Sequence, residues 1–249
     1  MIFPMRKPEV WTPRPPEPEV CSICKGAGYL RIPALTGLSE IRQCECLRSE
    51  VAARRAETAL DLSNLSAVAH LTFEAFDATV PGVSIAYRDA KRYAENPVGW
   101  LVLFGNVGTG KTHLAASIGH VLLSAGRPVV FQITPRLLDH LRATFSPEST
   151  VGFDDTFEAL KAVEVLILDD LGAERATEWA TEKLFQLVDH RYINRLPLVV
   201  TTNKRPEQFA GEAGKRIASR LFDQGISTAV AMAGADYRQR TKAQRKGSS

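Results

Sequence analysis

The stretch Trp100-Leu101-Val102-Leu103-Phe104, followed directly by Gly105-Asn106-Val107-Gly108-Thr109-Gly110-Lys111-Thr112, decides the fold. Five apolar residues ending at a glycine suit a buried strand. Thr112–Ser124 then carries Leu114, Ile118, Val121 and Leu122 at helical spacing, and Gly126 supplies a stop. The eight residues between strand and helix satisfy G-x-x-x-x-G-K-[ST] in full, in the context that motif requires. Its glycines let the backbone curl until successive N–H groups face a polyanion. The start of the following helix adds partial positive charge. Lys111 is then placed to reach the β- and γ-phosphates and the Thr112 hydroxyl to ligate magnesium. Gly105, Asn106, Val107, Gly108, Thr109, Gly110, Lys111 and Thr112 are therefore the candidate ligands of ATP, or a close relative, with Mg2+.

Working outward, strand-like and helix-like segments alternate without a break from about Ala69. Pro128–Ile133, Val163–Leu168, Leu198–Thr202 and Thr228–Met232 are further strands, and Arg136–Thr144 and Glu178–Asn194 are helices. Strands apolar on both faces and alternating with helices imply an α/β domain, with a five-stranded, mostly parallel sheet between helices.

Two of those strands end in chemistry. Val165-Leu166-Ile167-Leu168 runs into Asp169-Asp170, and Leu198-Val199-Val200 into Thr201-Thr202-Asn203. In an open parallel sheet, ligands gather at the carboxyl ends of the strands. Asp169 can hold the magnesium shell, and Asp170 can orient or deprotonate the attacking water. Asn203 can position that water or report on the γ-phosphate.

Ahead of this region the composition changes. Met1–Val20 holds six prolines and no apolar core, so it reads as an extended arm rather than a secretory signal. All four cysteines lie between Cys21 and Cys46, as Cys21-x-x-Cys24 and Cys44-x-Cys46. Each pair offers two corners of a tetrahedron, and a hairpin between them would join the pairs. Four thiolates close a structural Zn2+ site and leave no open position for catalysis. So small a segment has too little apolar surface to fold unaided, so the metal would supply much of its stability. A charged, alanine-rich stretch, Arg48–Ala59, looks like a connecting helix. The remaining sequence lacks cysteine, which fits a cytosolic, reducing location. No stretch approaches the roughly 20 apolar residues that span a bilayer.

Together the P-loop, Leu168-Asp169-Asp170-Leu171-Gly172, Thr201-Thr202-Asn203, Arg216-Ile217-Ala218-Ser219-Arg220-Leu221 and Asp236-Tyr237-Arg238 resemble the AAA+ ATPases of the DnaC/DnaI/IstB group. The motifs occur in the group's order across about Leu71–Arg238. The resemblance implies that Asn203 stands at the sensor-1 position and Arg238 at sensor 2. It implies that Arg220, with Arg216 as the alternative, is the arginine finger that enters a neighbouring subunit's site. Such an arginine is worth roughly 10³–10⁵ in rate in the best cases. Two arginines four apart also fit a solvated helix face. Many AAA+ proteins carry glutamate where this chain has Asp170, and the shorter acid implies slow hydrolysis.

The organisation read from this is an arm over 1–19, a zinc-binding module over 20–47, a helical linker over 48–68, an AAA+ ATPase domain over 69–238 and a basic tail over 239–249. Lys111, Asp170, Asn203, Arg220 and Arg238 are the catalytic candidates. The resemblance further implies a loader of a replicative DNA helicase, whose N-terminal module grips the helicase. It would self-associate through shared ATP sites, a hexamer being one candidate number, on single-stranded DNA. The alternatives are an IstB-like transposition helper coating duplex DNA, and a nucleotide-gated adaptor with negligible turnover. A net charge of +3 does not by itself argue for nucleic acid. The tail (Arg238, Arg240, Lys242, Arg245, Lys246) and the group Arg136, Arg142 and Phe145 are candidate DNA contacts. Phe73 and Phe76 read as core or as a frame for adenine, His113 as packing, and Trp11 as a partner anchor.

Overall fold

The computed structural model describes residues 20–33, 39–51, 63–143, 153–173, 177–234 and 236–239. The chain divides into two compact units, Met1–Ala52 and Ala53–Ser249. Trp11, Phe145 and the tail beyond 239 lie outside the described residues.

In the first unit, strands β1 (Tyr29–Pro33) and β2 (Ser39–Gln43) pair antiparallel, from Tyr29 opposite Gln43 to Pro33 opposite Ser39. Helix α1 follows and is described over 45–51. The connecting helix expected at Arg48 thus starts earlier. The chain enters the hairpin through a tight turn in which Lys25 N donates to Cys21 O at 2.8 Å and Ala27 N to Cys24 O at 3.0 Å. Cys44 N donates to Gly28 O at 2.8 Å, so the hairpin joins the two cysteine pairs.

The second unit is built on β3 (Trp100–Gly105), β4 (Val129–Ile133), β5 (Val165–Leu171), β6 (Leu198–Thr202) and β7 (Ser227–Met232), in the order β4-β5-β6-β3-β7. Every neighbouring pair is parallel. Successive strand residues point to opposite faces, and here both faces are covered. Trp100, Val102, Leu166, Leu168, Leu198 and Val200 enter one core. It is closed by α4 (Thr134–Ala143), α5 (Phe153–Ala162), α6 (Glu178–Ile193) and α7 (Gly211–Leu221). Leu101, Leu103, Val165, Ile167 and Val199 enter the other, under α2 (Ser84–Glu95) and α3 (Lys111–Ser124). Each such side chain fully removed from water is worth about 1.5–3 kcal/mol, which is why the central strands contain no polar residue before their carboxyl ends.

Most expected elements stand within two residues of their expected limits. Helix α4 begins at Thr134, two residues early, because Pro135 is tolerated in a first helical turn. The larger correction is β5. It does not stop at Leu168 but runs through both aspartates to Leu171, with a register shift between Leu168 and Leu171. The helix α5 was not anticipated.

One buried charge helps hold the sheet to its second layer of helices. Arg191 on α6 is fully buried. Its Nη1 donates to the carbonyls of Leu160, Lys161 and Val163 at 3.3, 3.2 and 3.0 Å, and its Nη2 to those of Glu164 and Pro197 at 2.9 and 2.6 Å. Burial lowers its pKa to about 10, so the guanidinium stays charged at neutral pH.

Candidate nucleotide site

The carboxyl ends of β3, β5 and β6 are neighbours in the sheet, so everything that follows them is delivered to one place. The loop after β3 needs glycine for two separate reasons. Gly105 has φ +134°, and a Cβ there would stand 2.2 Å from the Met232 carbonyl oxygen of β7. Gly108 has φ +76°, and a Cβ there would land 1.8 Å from Asp236 Oδ1. The loop is tied internally by Thr109 Oγ1 donating to Asn106 O at 3.0 Å. Lys111 Nζ donates to the carbonyls of Gly105 and Asn106 at 2.9 and 2.6 Å. Tyr237 N donates to Gly108 O at 3.0 Å, which lays the C-terminal segment against the loop. Helix α3 begins at Lys111, so its first-turn N–H groups lie at the loop's end.

The aspartates are set differently from one another. Asp169 is buried, with Oδ2 accepting from Thr112 Oγ1 at 3.1 Å and Oδ1 from Thr201 Oγ1 at 2.6 Å. Burial raises its pKa, opposed by those two hydrogen bonds. Asp170 has φ +57°, in the left-handed region that Asp visits more readily than most residues. Its N–H donates to Thr201 Oγ1 at 2.8 Å and its Oδ1 accepts from Asn203 Nδ2 at 3.0 Å. A buried carboxylate beside the P-loop hydroxyl, with its charge opposed by burial, is a fitting donor set for the magnesium of a bound nucleotide.

A cleft of about 350 Å³ opens beside these groups, with Asp169 behind its wall. Val107 through His113 together with Asp170, Thr201 and Asn203 make its polar side. Leu71, Phe76, Val80, Val83 and Tyr237 make an apolar side suited to a base. Phe76 stacks on Tyr87 (5.5 Å between ring centroids) and meets His113 edge-on (5.1 Å). Phe73 is buried core. His113 Nε2 donates to Thr72 O at 2.8 Å, a packing role, and burial lowers its pKa.

The expected arginines lie elsewhere. Neither Arg216 nor Arg220 lines the cleft. Arg220 is held within its own chain: its Nη2 lies 2.5 Å from Asp189 Oδ1 and its Nη1 donates to Arg216 O at 3.2 Å. Its guanidinium also packs over Phe185 and Tyr192. Arg216, one helical turn earlier, is exposed. Arg238 falls in the short helix Tyr237–Gln239, and its side chain lies outside the described residues. Arg136 is exposed on α4, whereas Arg142 is engaged by Asp139, Thr177 and the Trp179 ring. Thr201 joins the site through its hydroxyl, which bonds both aspartates. Nothing in the string Thr-Thr-Asn marks that hydroxyl for the role.

In the first unit the sulfurs of Cys21, Cys24, Cys44 and Cys46 all lie within 4.8 Å of one another, with Cys21–Cys44 at 3.9 Å and Cys24–Cys46 at 3.4 Å. Four sulfurs about 2.3 Å from one tetrahedral ion stand about 3.8 Å apart, and no pair is at disulfide distance. The backbone N–H groups of Cys24 and Ile23 lower the Cys21 pKa to about 6. Hydrogen bonding to Cys24 together with burial pushes Cys46 up to about 12. Some thiols of the cluster thus favour ionisation and another resists it while no cation is present, and a divalent ion relieves that conflict. The residues fit zinc.

Strand order, P-loop, paired acids and polar β6 end together define a P-loop nucleoside-triphosphate-binding protein of the AAA+ class. Within that class the chain belongs to the IstB-like ATP binding protein family, whose pattern matches residues 43–245. It is 30% identical to a protein named as an ATP-binding protein in an insertion sequence of Mycobacterium tuberculosis, over 82% of this chain and 84% of the relative. It is 28% identical to the replicative helicase loader DnaC of Escherichia coli K12 over 60% of this chain, and that match spans 62% of DnaC. The crystal structure of a DnaC helicase loader superposes with a TM-score of 0.56, at 20% identity, over 66% of this chain and 97% of the other. That last likeness speaks to the fold. Among the described residues, no helix is long and apolar enough to cross a membrane.

Proposed function

We propose that the chain is a magnesium-dependent ATPase whose hydrolysis acts as a switch on DNA, and that its task is to deliver a replicative helicase to single-stranded DNA. The observation that carries the ATPase part is the convergence of Thr112, Asp169, Asp170, Thr201 and Asn203 beside one P-loop. Magnesium held through Thr112 and Asp169 would neutralise charge on the phosphates. Lys111 exchanges its two loop carbonyls for phosphate oxygens. Asp170 accepts the proton of the attacking water, and Asn203 keeps that carboxylate aimed.

Completion of the site belongs to a second subunit. The resemblance carried by Arg216–Leu221 supports this: both arginines lie away from their own cleft, Arg220 on Asp189, and either would enter a neighbour's site on assembly. ATP can favour assembly only through its differential affinity for the assembled and free states.

The helicase reading is supported by relatives named as replicative helicase loaders, and in it the four-thiol module would grip the helicase. The insertion-sequence relative favours a second reading, a transposition helper on duplex DNA, because it matches more of this chain. One experiment separates them: ATP-dependent binding to single- and double-stranded DNA, with capture of purified replicative helicase by the full chain. Preference for single strands with helicase capture supports the loader. Preference for duplex without capture overturns it in favour of the helper.

A further inference from the structure

We propose that Thr201 is a positioning residue of the ATP site: one hydroxyl orients the Asp169 carboxylate for the metal ion and pins the backbone of Asp170. This rests on the magnesium–ATP reading above.

The arrangement begins in the sheet register. Leu168 pairs with Val200 and Leu171 with Thr202, so Asp169 and Asp170 together face the single residue Thr201. That is a bulge, a device that re-aims side chains beside active sites. The Thr201 side chain fills the break, accepting the Asp170 N–H at 2.8 Å. A hydroxyl has one proton to give, and that proton goes to Asp169 Oδ1 at 2.6 Å. The direction of both bonds is fixed, because an amide N–H can only donate and an ionised carboxylate can only accept. With Oδ1 occupied, Oδ2 is the oxygen turned to Thr112, 3.1 Å away. Asp170 meanwhile is held at φ +57°, from which its carboxylate reaches Asn203.

Thr201 is 1% exposed and stands at the wall of the cleft, so its hydroxyl is held between the two acids rather than in bulk water. Its neighbour provides an internal control. Thr202 is equally buried, but its Oγ1 donates to the Leu171 carbonyl at 2.6 Å and accepts from Lys204 N at 3.1 Å rather than bonding either acid.

The test is a magnesium titration of ATP hydrolysis and of fluorescent ATP-analogue binding, on the full chain, with Thr201→Val, Thr201→Ser and Thr202→Val. Loss of a hydrogen bond to a buried charge corresponds to a factor of roughly ten to a hundred. Thr201→Val is expected to raise the magnesium needed for half-maximal hydrolysis and to lower kcat by factors of that size. Thr201→Ser restores both, and Thr202→Val alters thermal stability while leaving the magnesium requirement in place. Should Thr201→Val fail to fold, Thr201→Ala against Thr201→Ser makes the same comparison. A hydroxyl-free variant with the wild-type magnesium requirement and kcat overturns the proposal. So does a serine variant as impaired as valine, or Thr202→Val reproducing the Thr201→Val defect. A wild-type chain that neither binds nor hydrolyses ATP with magnesium instead overturns the reading beneath it, and this inference with it.

Discussion

Asn203 Nδ2 donates to Asp170 Oδ1 across 3.0 Å, so the end of β6 holds the carboxylate that β5 presents to the cleft. In the proposed mechanism the two residues act as a unit in which one handles a proton and the other aims it. Asp170→Asn is expected to lower kcat by roughly 10²–10⁴, the range for a lost general base, with ATP affinity little changed. Asn203→Ala is expected to lower kcat by less, since the carboxylate remains. Single-turnover hydrolysis beside equilibrium nucleotide binding checks both, and a loss confined to binding would contradict these roles.

Asp169 gives a prediction with a definite sign. Its pKa is raised by burial. A carboxyl raised on folding stabilises the native state while protonated, and that contribution is lost as pH rises through the native pKa. At neutral pH the charge is thus unfavourable in the nucleotide-free protein. Asp169→Asn should raise the nucleotide-free Tm at pH 7, by an amount that shrinks as pH falls toward the carboxylate range. The same variant should lose the added stability that magnesium–ATP gives the wild type. Thermal unfolding at several pH values, with and without magnesium–ATP, reads both effects.

Arg191 bears on stability alone. Its guanidinium satisfies five carbonyls from two stretches of chain, Leu160–Glu164 and Pro197. Arg191→Met leaves those acceptors buried without their donor, and removal of such a partner costs about 3 kcal/mol or more. Arg191→Lys recovers little, because an ammonium lacks the planar fork. Denaturant unfolding of the full chain measures both.

Much of this site was legible because its parts are local strings. The P-loop and the acids announce themselves by residue type and by the apolar strands before them, and continuous apolar runs alternating with helical spacing imply the parallel sheet. The rest depends on register, which a string does not carry. The bulge that places Asp169 and Asp170 opposite Thr201 is a relation between two strands about thirty residues apart. The same is true of the Asp189–Arg220 pair, formed between two helices. Helix α5 carries a weak periodic signal, because its buried residues, Thr156, Phe157, Ala159 and Leu160, include only two large apolar side chains.

The cysteine cluster separates the two units experimentally. Chelation under reducing conditions, or Cys44→Ser, is expected to unfold residues 20–51 while nucleotide binding by the second unit persists, because metal affinity is folding energy for so small a unit. Limited proteolysis with metal analysis checks this. About one zinc per chain in the untreated protein is expected from four ligands closing one tetrahedron.

The central claim is a hydrolysis site completed between subunits, and mixing tests it most directly. Asp170→Asn supplies intact arginines and a dead site. The double variant Arg216→Ala/Arg220→Ala supplies an intact site without either arginine. Each alone should hydrolyse ATP slowly in the presence of DNA, and an equimolar mixture should exceed the sum of the two rates. A mixture equal to that sum, or a double arginine variant as active as wild type, contradicts the account.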